Sequence, residues 1–94
     1  MVISKENQEF LEGLIDYYVK EAKSYREIAQ EFSSEINSVT DTAFGIIIGC
    51  IYSSFLQAYS NQKQVPDMED VQEFNEIIIK NTEIIKKSIM NENV

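Results

Sequence analysis

Apolar residues recur at helical spacing along three long stretches of the chain. In the first stretch, about residues 5–36, they stand three or four positions apart and share one stripe, with charged residues opposite. This period is typical of an amphipathic helix that buries one face. We therefore predict a first helix over about 5–36. Its stripe comprises Leu11, Leu14, Ile15, Tyr18, Ala22, Tyr25, Ile28, Ala29, Phe32 and Ile36.

The second stretch is apolar almost all round, and residues 42–62 contain no charged side chain. Ser38 and Asp41 form a capping pair that predicts a helix start, so we expect the second helix over about 39–61. Hydroxyl and amide side chains between 33 and 42 favour a break near 37–40. Because the apolar rhythm continues across that segment, one continuous helix over 5–61 is the alternative.

A loop and a third helix complete the pattern. Residues 62–67 are polar and include Pro66, which disfavours helix at the residue before it. Asp67 is a suitable N-cap, and apolar residues then recur at helical spacing, so we predict a helix over about 68–90. Its acids crowd the first half and its lysines the second, which complements the helix macrodipole. We expect residues 91–94 to fray.

Small residues mark one side of the second helix. Gly45, Gly49 and Ser53 stand four apart and form a strip against which a neighbouring helix can pack closely, within the chain or from a second copy. The first predicted helix is about 48 Å long and the other two about 35 Å, so a monomer leaves one end uncovered. We predict an all-α, single-domain fold over 1–94, an antiparallel three-helix arrangement with a central, mostly buried helix 2, completed by homodimerisation.

A membrane span is the competing interpretation of residues 42–62, since about 20 apolar residues cross a bilayer and the Gly45–Gly49 spacing suits helix pairing there. However, the segment carries several hydroxyl and amide side chains, and no lysine or arginine stands near its N-terminal end. These features favour a buried helix of a soluble protein.

The composition and net charge of the chain disfavour several classes of function. Eight basic against 16 acidic residues give a net charge of −8, which disfavours autonomous nucleic-acid binding and docking on anionic lipid. A protein partner with a basic surface is compatible with this charge. A single cysteine and no recognisable signal peptide suit the cytoplasm. The absence of histidine removes Ser-His and Cys-His catalysis and histidine metal sites, so we expect no enzyme and no cofactor.

A short segment carries a resemblance. Residues 24–39 begin Ser-Tyr-Arg-Glu-Ile-Ala and place Phe32 three and Val39 ten positions after Ala29. This spacing resembles the helix-turn-helix of sigma factors and response regulators, and the resemblance implies a DNA-binding regulator over residues 24–45. The would-be reading helix, 35–45, departs from that pattern because it holds two acids and no base.

Two acidic rows are the remaining candidate surface. One comprises Glu27, Glu31 and Glu35; the other comprises Glu69, Glu73 and Glu76; and Glu21 interrupts the first apolar stripe. Carboxylate rows can chelate Mg²⁺, which leaves a Mg²⁺-dependent hydrolase as an alternative, but a solvated face is the ordinary role of such rows. We expect a small acidic protein-interaction or regulatory module, with no metal site and with these acids as the contact surface for a partner.

Overall fold

The computed structural model describes residues 3–91, and this part of the chain is helical without strands. Four helices occur in order: α1 (Lys5–Lys20), α2 (Ala22–Gln30), α3 (Val39–Asn61) and α4 (Met68–Ile89). A single 3-10 turn, Ser33–Glu35, lies between α2 and α3. The predicted all-α fold class is confirmed.

Side chains cap the starts of three of these helices, and those at Ser38 and Asp67 stand at predicted positions. Ser4 accepts a hydrogen bond from the backbone N–H of Asn7 at 3.1 Å, and Ser38 accepts one from Asp41 at 3.0 Å. These bonds satisfy backbone donors that the first turn of a helix leaves free. Asp67 and Asp70 form a reciprocal capping box at the start of α4. The chain is extended at Ile36 and Ser38, so the predicted break near 37–40 is confirmed.

The predicted single helix over 5–36 is wrong. α1 ends at Lys20, Glu21 takes a non-helical conformation, and α2 stops at Gln30. No glycine or proline stands at Glu21, so the cause of the break is tertiary. The break turns α2 so that Ala22 and Ala29 are fully buried, and α2 packs mainly on α3. The length mismatch that suggested homodimerisation therefore disappears.

α3 runs opposite to α1 and α4. Asn7 at the start of α1 bonds Gln62 at the end of α3, while Lys86 near the end of α4 pairs with Asp41 at the start of α3. α3 contacts each of the other three helices. Since α1, α2 and α4 also each contact the three others, these contacts do not single out α3 as the central helix.

The core lies along one stripe of α3 that turns slowly around the helix axis. Every fourth residue of that helix is buried, and these side chains meet apolar residues of all the other helices. Phe55 and Phe74 stack with ring centroids 4.8 Å apart, a geometry that adds to the stability gained from burial alone. The buried apolar residues of α3 are Ala43, Ile47, Ile51, Phe55 and Tyr59.

The prediction that the second helix is mostly buried is wrong. Only 22% of the most apolar 18-residue window of α3 is buried. Ile51, Phe55 and Tyr59 are buried, whereas Phe44, Ile48 and Tyr52 are half-buried beside the core. At the end of α4, Asn91 adopts a left-handed conformation. The predicted frayed tail otherwise falls on residues 92–94, which lie outside the described residues.

Candidate protein-interaction surface

One side of α3 faces solvent along its whole length. The side chains exposed there from Gly45 onward carry no charge, and several stand four apart and so share one side of the helix. Asp41, one turn before Gly45 on the same side, is exposed and pairs with Lys86. We call this surface the open face of α3. It consists of Gly45, Gly49, Ser53, Leu56, Gln57 and Ser60.

The two glycines of the open face have no role inside the monomer. A Cβ atom added to Gly45 or Gly49 would meet nothing within 4 Å, and both residues have negative φ. A glycine in a helix interior costs about 1 kcal/mol relative to alanine, so the pair costs roughly 2 kcal/mol. Close packing of the predicted strip against another helix of the same chain does not occur. Packing of Gly45, Gly49 and Ser53 against a second molecule stays a prediction.

Tyrosines line the border between the open face and the preceding helices. The rings of Tyr17 and Tyr18 meet edge to face at 5.0 Å, and those of Tyr18 and Tyr25 lie 5.5 Å apart. Burial raises the pKa of the Tyr18 and Tyr25 hydroxyls, and the neighbouring Cys50 thiol adds to both increases. We call Tyr17, Tyr18 and Tyr25 the tyrosine cluster. Cys50 is half-buried against it and makes no disulfide.

A groove separates the start of α1 from the end of α3. Its volume is about 500 Å³, and Phe10 on one wall faces Gln57 and Ala58 on the other. Asn7 and Gln62 close one end through two amide hydrogen bonds of 3.2 and 2.7 Å. Phe10 is 43% exposed and Tyr17 is 54% exposed. Because they stand seven apart on α1, they form an aromatic rim beside the open face.

α3 is the one helix, among the described residues, that is long and apolar enough to cross a membrane by length and composition. The opposite side of the same helix, however, supplies the centre of the protein core. Ile47, Ile51 and Phe55 are completely buried there against the other helices. Removing α3 into a bilayer would expose these partners to water.

The structure separates the predicted acidic contact residues. Glu27 lies on α2, whereas Glu31 and Glu35 follow its end, so they share no helix face. On α4, Glu69 and Glu76 are exposed, but Glu73 accepts a hydrogen bond of 3.2 Å from the backbone N–H of Ile3. Glu21 is exposed at the junction of α1 and α2 and not within a buried stripe. The first row is therefore divided between α2 and the segment after it, whereas the second row lies on α4 alone.

The segment that resembles a helix-turn-helix has a different helix register. α3 begins at Val39, four residues after the start of the would-be reading helix at Glu35. Its first exposed acid, Asp41, pairs with Lys86 at 3.1 Å, and the same lysine lies over the Phe44 ring. The start of α3, which would enter a DNA groove in a helix-turn-helix, therefore carries an ion pair within the chain. It presents this pair in place of a basic surface for phosphates.

Cation binding needs several ligands that converge. Among residues 3–91, no group of three or more cysteine, aspartate and glutamate side chains is placed to hold a metal ion. The buried carboxylate of Asp70 is already committed to the capping box.

No protein-family model, no curated protein and no solved structure matches this chain. Sequence patterning identified Gly45, Gly49 and Ser53 but missed Phe10, Tyr17 and Leu56 as neighbours on one exposed surface. Phe10 stands one position before Leu11, the first residue of the apolar stripe, so it lies off that stripe. This offset is the sequence signal that could have predicted Phe10 to lie outside the core.

Proposed function

We propose that this chain is a protein-binding module whose contact surface is the open face of α3 with its aromatic rim. The carrying observation is that one side of the most apolar helix of the protein, which includes Gly45, Gly49 and Leu56, is exposed to solvent. Phe10 and Tyr17 are exposed aromatic side chains beside this surface, and exposed apolar side chains that cluster mark sites of protein or membrane interaction. The aromatic residues beside an uncharged centre match the composition of protein interfaces.

The charge distribution supports a protein over a membrane or a nucleic acid as the binding partner. The chain carries a net charge of −8, which repels phosphates and anionic headgroups alike. The open face has no charge to desolvate, so a protein surface can cover it without burying an unpaired ion. We place this activity in the cytoplasm, where a single unpaired thiol remains reduced.

Affinity capture with matched variants tests the proposal. The wild-type chain, Gly49→Leu and Gly13→Leu are immobilised separately and exposed to a soluble protein extract in high salt. Gly13 is a second exposed helical glycine with open space around it, on α1, so its substitution controls for the added side chain. Proteins retained by wild type and Gly13→Leu but lost from Gly49→Leu support the open face as the contact surface.

High salt distinguishes this surface from the predicted acidic contacts. Binding of a basic partner through Glu27, Glu31, Glu35, Glu69, Glu73, Glu76 and Glu21 weakens as salt screens exposed charges. Binding through the uncharged open face persists. Equal retention by all three chains, or complete release by salt, would refute the open face as the contact surface.

A further inference from the structure

We infer that the groove between α1 and α3 takes an arginine side chain of a protein partner. This inference rests on the proposed function and names the chemistry that anchors the partner beside the open face. Its physical basis lies in three properties of the groove: its position and size, the charge of its walls, and the arrangement of its aromatic and polar side chains.

The groove is continuous with the surface that we propose to bind a protein. Gln57 belongs both to the open face and to one wall of the groove, and Phe10 belongs both to the aromatic rim and to the other wall. A protein that covers the open face therefore reaches the mouth of the groove. The volume of about 500 Å³ falls within the range of ligand pockets, so a long side chain can enter.

The charge of the groove walls favours a cation. Among the described residues that line the groove, Glu6 is the one with a charged side chain. Glu6 is exposed and forms no ion pair with another residue of 3–91. Lys5 and Lys63 stand next to lining residues in the sequence but are not part of the walls. The net charge of −8 adds to the attraction for a cationic side chain.

Glu6 and Phe10 together suit a planar cation. They stand four apart on α1 and so share one side of that helix. Phe10 is 43% exposed, which leaves part of its ring free to contact a cation. A guanidinium group stacks on aromatic rings and donates two parallel hydrogen bonds to a carboxylate, whereas an ammonium group is a compact point charge. The α1 wall therefore favours arginine over lysine.

The α3 wall supplies a further hydrogen-bond acceptor. Gln57 Nε2 donates to Asn61 Oδ1 at 2.9 Å, whereas Gln57 Oε1 accepts no hydrogen bond from another residue of 3–91. A guanidinium group has only donors, so one that bonds Glu6 still has N–H groups left for Gln57 Oε1. Ala58 gives the same wall an apolar surface that suits the aliphatic stem of an arginine side chain.

Nuclear magnetic resonance titration of the full chain tests the recognition of arginine. The probe is N-acetyl-arginine methylamide, which should shift the signals of the Phe10 ring and of the Gln57 and Asn61 side-chain amides with a Kd on the order of 1–10 mM. The uncharged analogue N-acetyl-citrulline methylamide should bind about fivefold more weakly, because it cannot pair with a carboxylate. Unchanged signals at about 50 mM arginine probe overturn the inference. Equal binding of the citrulline probe, or of N-acetyl-lysine methylamide, also overturns it.

Matched variants test the two residues of the α1 wall. Glu6→Gln should weaken binding of the arginine probe about fivefold and Phe10→Leu about threefold, whereas Glu9→Gln should leave it unchanged. Glu9 is an exposed acid of the same helix that does not line the groove, so its substitution controls for the loss of one negative charge. Circular dichroism checks that each variant keeps the helix content of wild type. Equal weakening by Glu6→Gln and Glu9→Gln would indicate general charge attraction and overturn the inference.

Capture from the soluble extract separates this inference from the proposed function. We expect Glu6→Gln to retain less of the proteins that wild type and Glu9→Gln both retain, and the arginine probe to compete for them. Full retention by Glu6→Gln with loss in Gly49→Leu refutes the arginine anchor and leaves the open face as the contact surface. Loss in Glu6→Gln with full retention by Gly49→Leu, together with binding of the arginine probe, supports the groove and refutes the open face.

Discussion

Asn7 and Gln62 join the start of α1 to the end of α3 through a reciprocal pair of amide hydrogen bonds. Asn7 Nδ2 donates to Gln62 Oε1 at 3.2 Å, and Gln62 Nε2 donates to Asn7 Oδ1 at 2.7 Å. Asn7 is buried whereas Gln62 is exposed. The pair therefore closes the helix bundle with a polar contact that only one register of α1 against α3 satisfies.

Removing either amide should destabilise the fold unequally. We expect Asn7→Ala to lower the free energy of unfolding by about 1–2 kcal/mol, and Gln62→Ala by less, because water can replace partners of an exposed group. Urea unfolding of both variants and the double variant measures their coupling. Strictly additive losses would show that the two side chains stabilise the fold independently, contrary to the paired geometry.

The capping box at α4 allows the roles of hydrogen bonding and charge to be separated. Asp67 accepts from the backbone N–H of Asp70 at 2.9 Å, and Asp70 accepts from that of Asp67 at 3.2 Å. Asp67→Ala should cost about 1 kcal/mol of unfolding free energy, whereas Asp67→Asn keeps an acceptor and should cost less. Urea unfolding compares the two. An asparagine variant as unstable as the alanine variant would mean that charge at the helix terminus dominates.

Alkaline pH should destabilise the protein through Tyr59. Burial raises the pKa of its hydroxyl, and the nearby Asp70 carboxylate raises it further. The folded state thus holds this proton more tightly than the unfolded state. Its contribution to stability is complete below the ordinary tyrosine pKa of about 10 and is lost as pH rises through the higher folded value.

Denaturant unfolding at pH 8 and pH ~11 provides the measurement, since these values bracket the ordinary tyrosine pKa of about 10. Tyr59→Phe should lose less unfolding free energy than wild type over this interval because it has no hydroxyl to ionise. Tyr18 and Tyr25 also have raised pKa values, so both proteins should still weaken. An identical loss in the two proteins would contradict the role of Tyr59.

The exposed glycines give a prediction about the stability of the folded chain. Gly13→Ala and Gly49→Ala should each stabilise the monomer by about 0.4–1 kcal/mol, because alanine restricts the unfolded chain and both sites have room for a Cβ.

Urea unfolding of wild type and both variants provides the measurement. A Gly49→Ala variant less stable than wild type would contradict the open space that the structure shows around Gly49.

Local chemistry explains which parts of the fold the sequence could predict. The side chains of Ser4, Ser38 and Asp67 each accept a hydrogen bond from a backbone N–H three residues later. Because both partners are close in the sequence, such helix starts can be predicted from it. No side-chain cap of this kind indicates the interruption between α1 and α2 at Glu21. It arises because α2 must turn to pack Ala22 and Ala29 on α3, which depends on residues far along the chain.

The candidate surface was predictable only in part for a related reason. The four-residue spacing of Gly45, Gly49 and Ser53 predicts a strip of small residues on one side of α3. However, this helix is apolar on nearly every side. Spacing alone cannot say which side the other helices cover. The packing of α1, α2 and α4 decides this, and it leaves the small residues outside while Ile47 and Ile51 are enclosed.

The order of the helices along the chain has a consequence for synthesis. α3 leaves the ribosome before α4, yet Phe74, Ile78 and Ile85 of α4 are needed to cover it. At typical elongation rates the interval between Asn61 and Ile89 lasts roughly 1–6 s. During that time the nascent chain presents apolar surface on two sides of one helix. The middle of this protein is therefore its most aggregation-exposed segment before release, and the segment a chaperone would engage first.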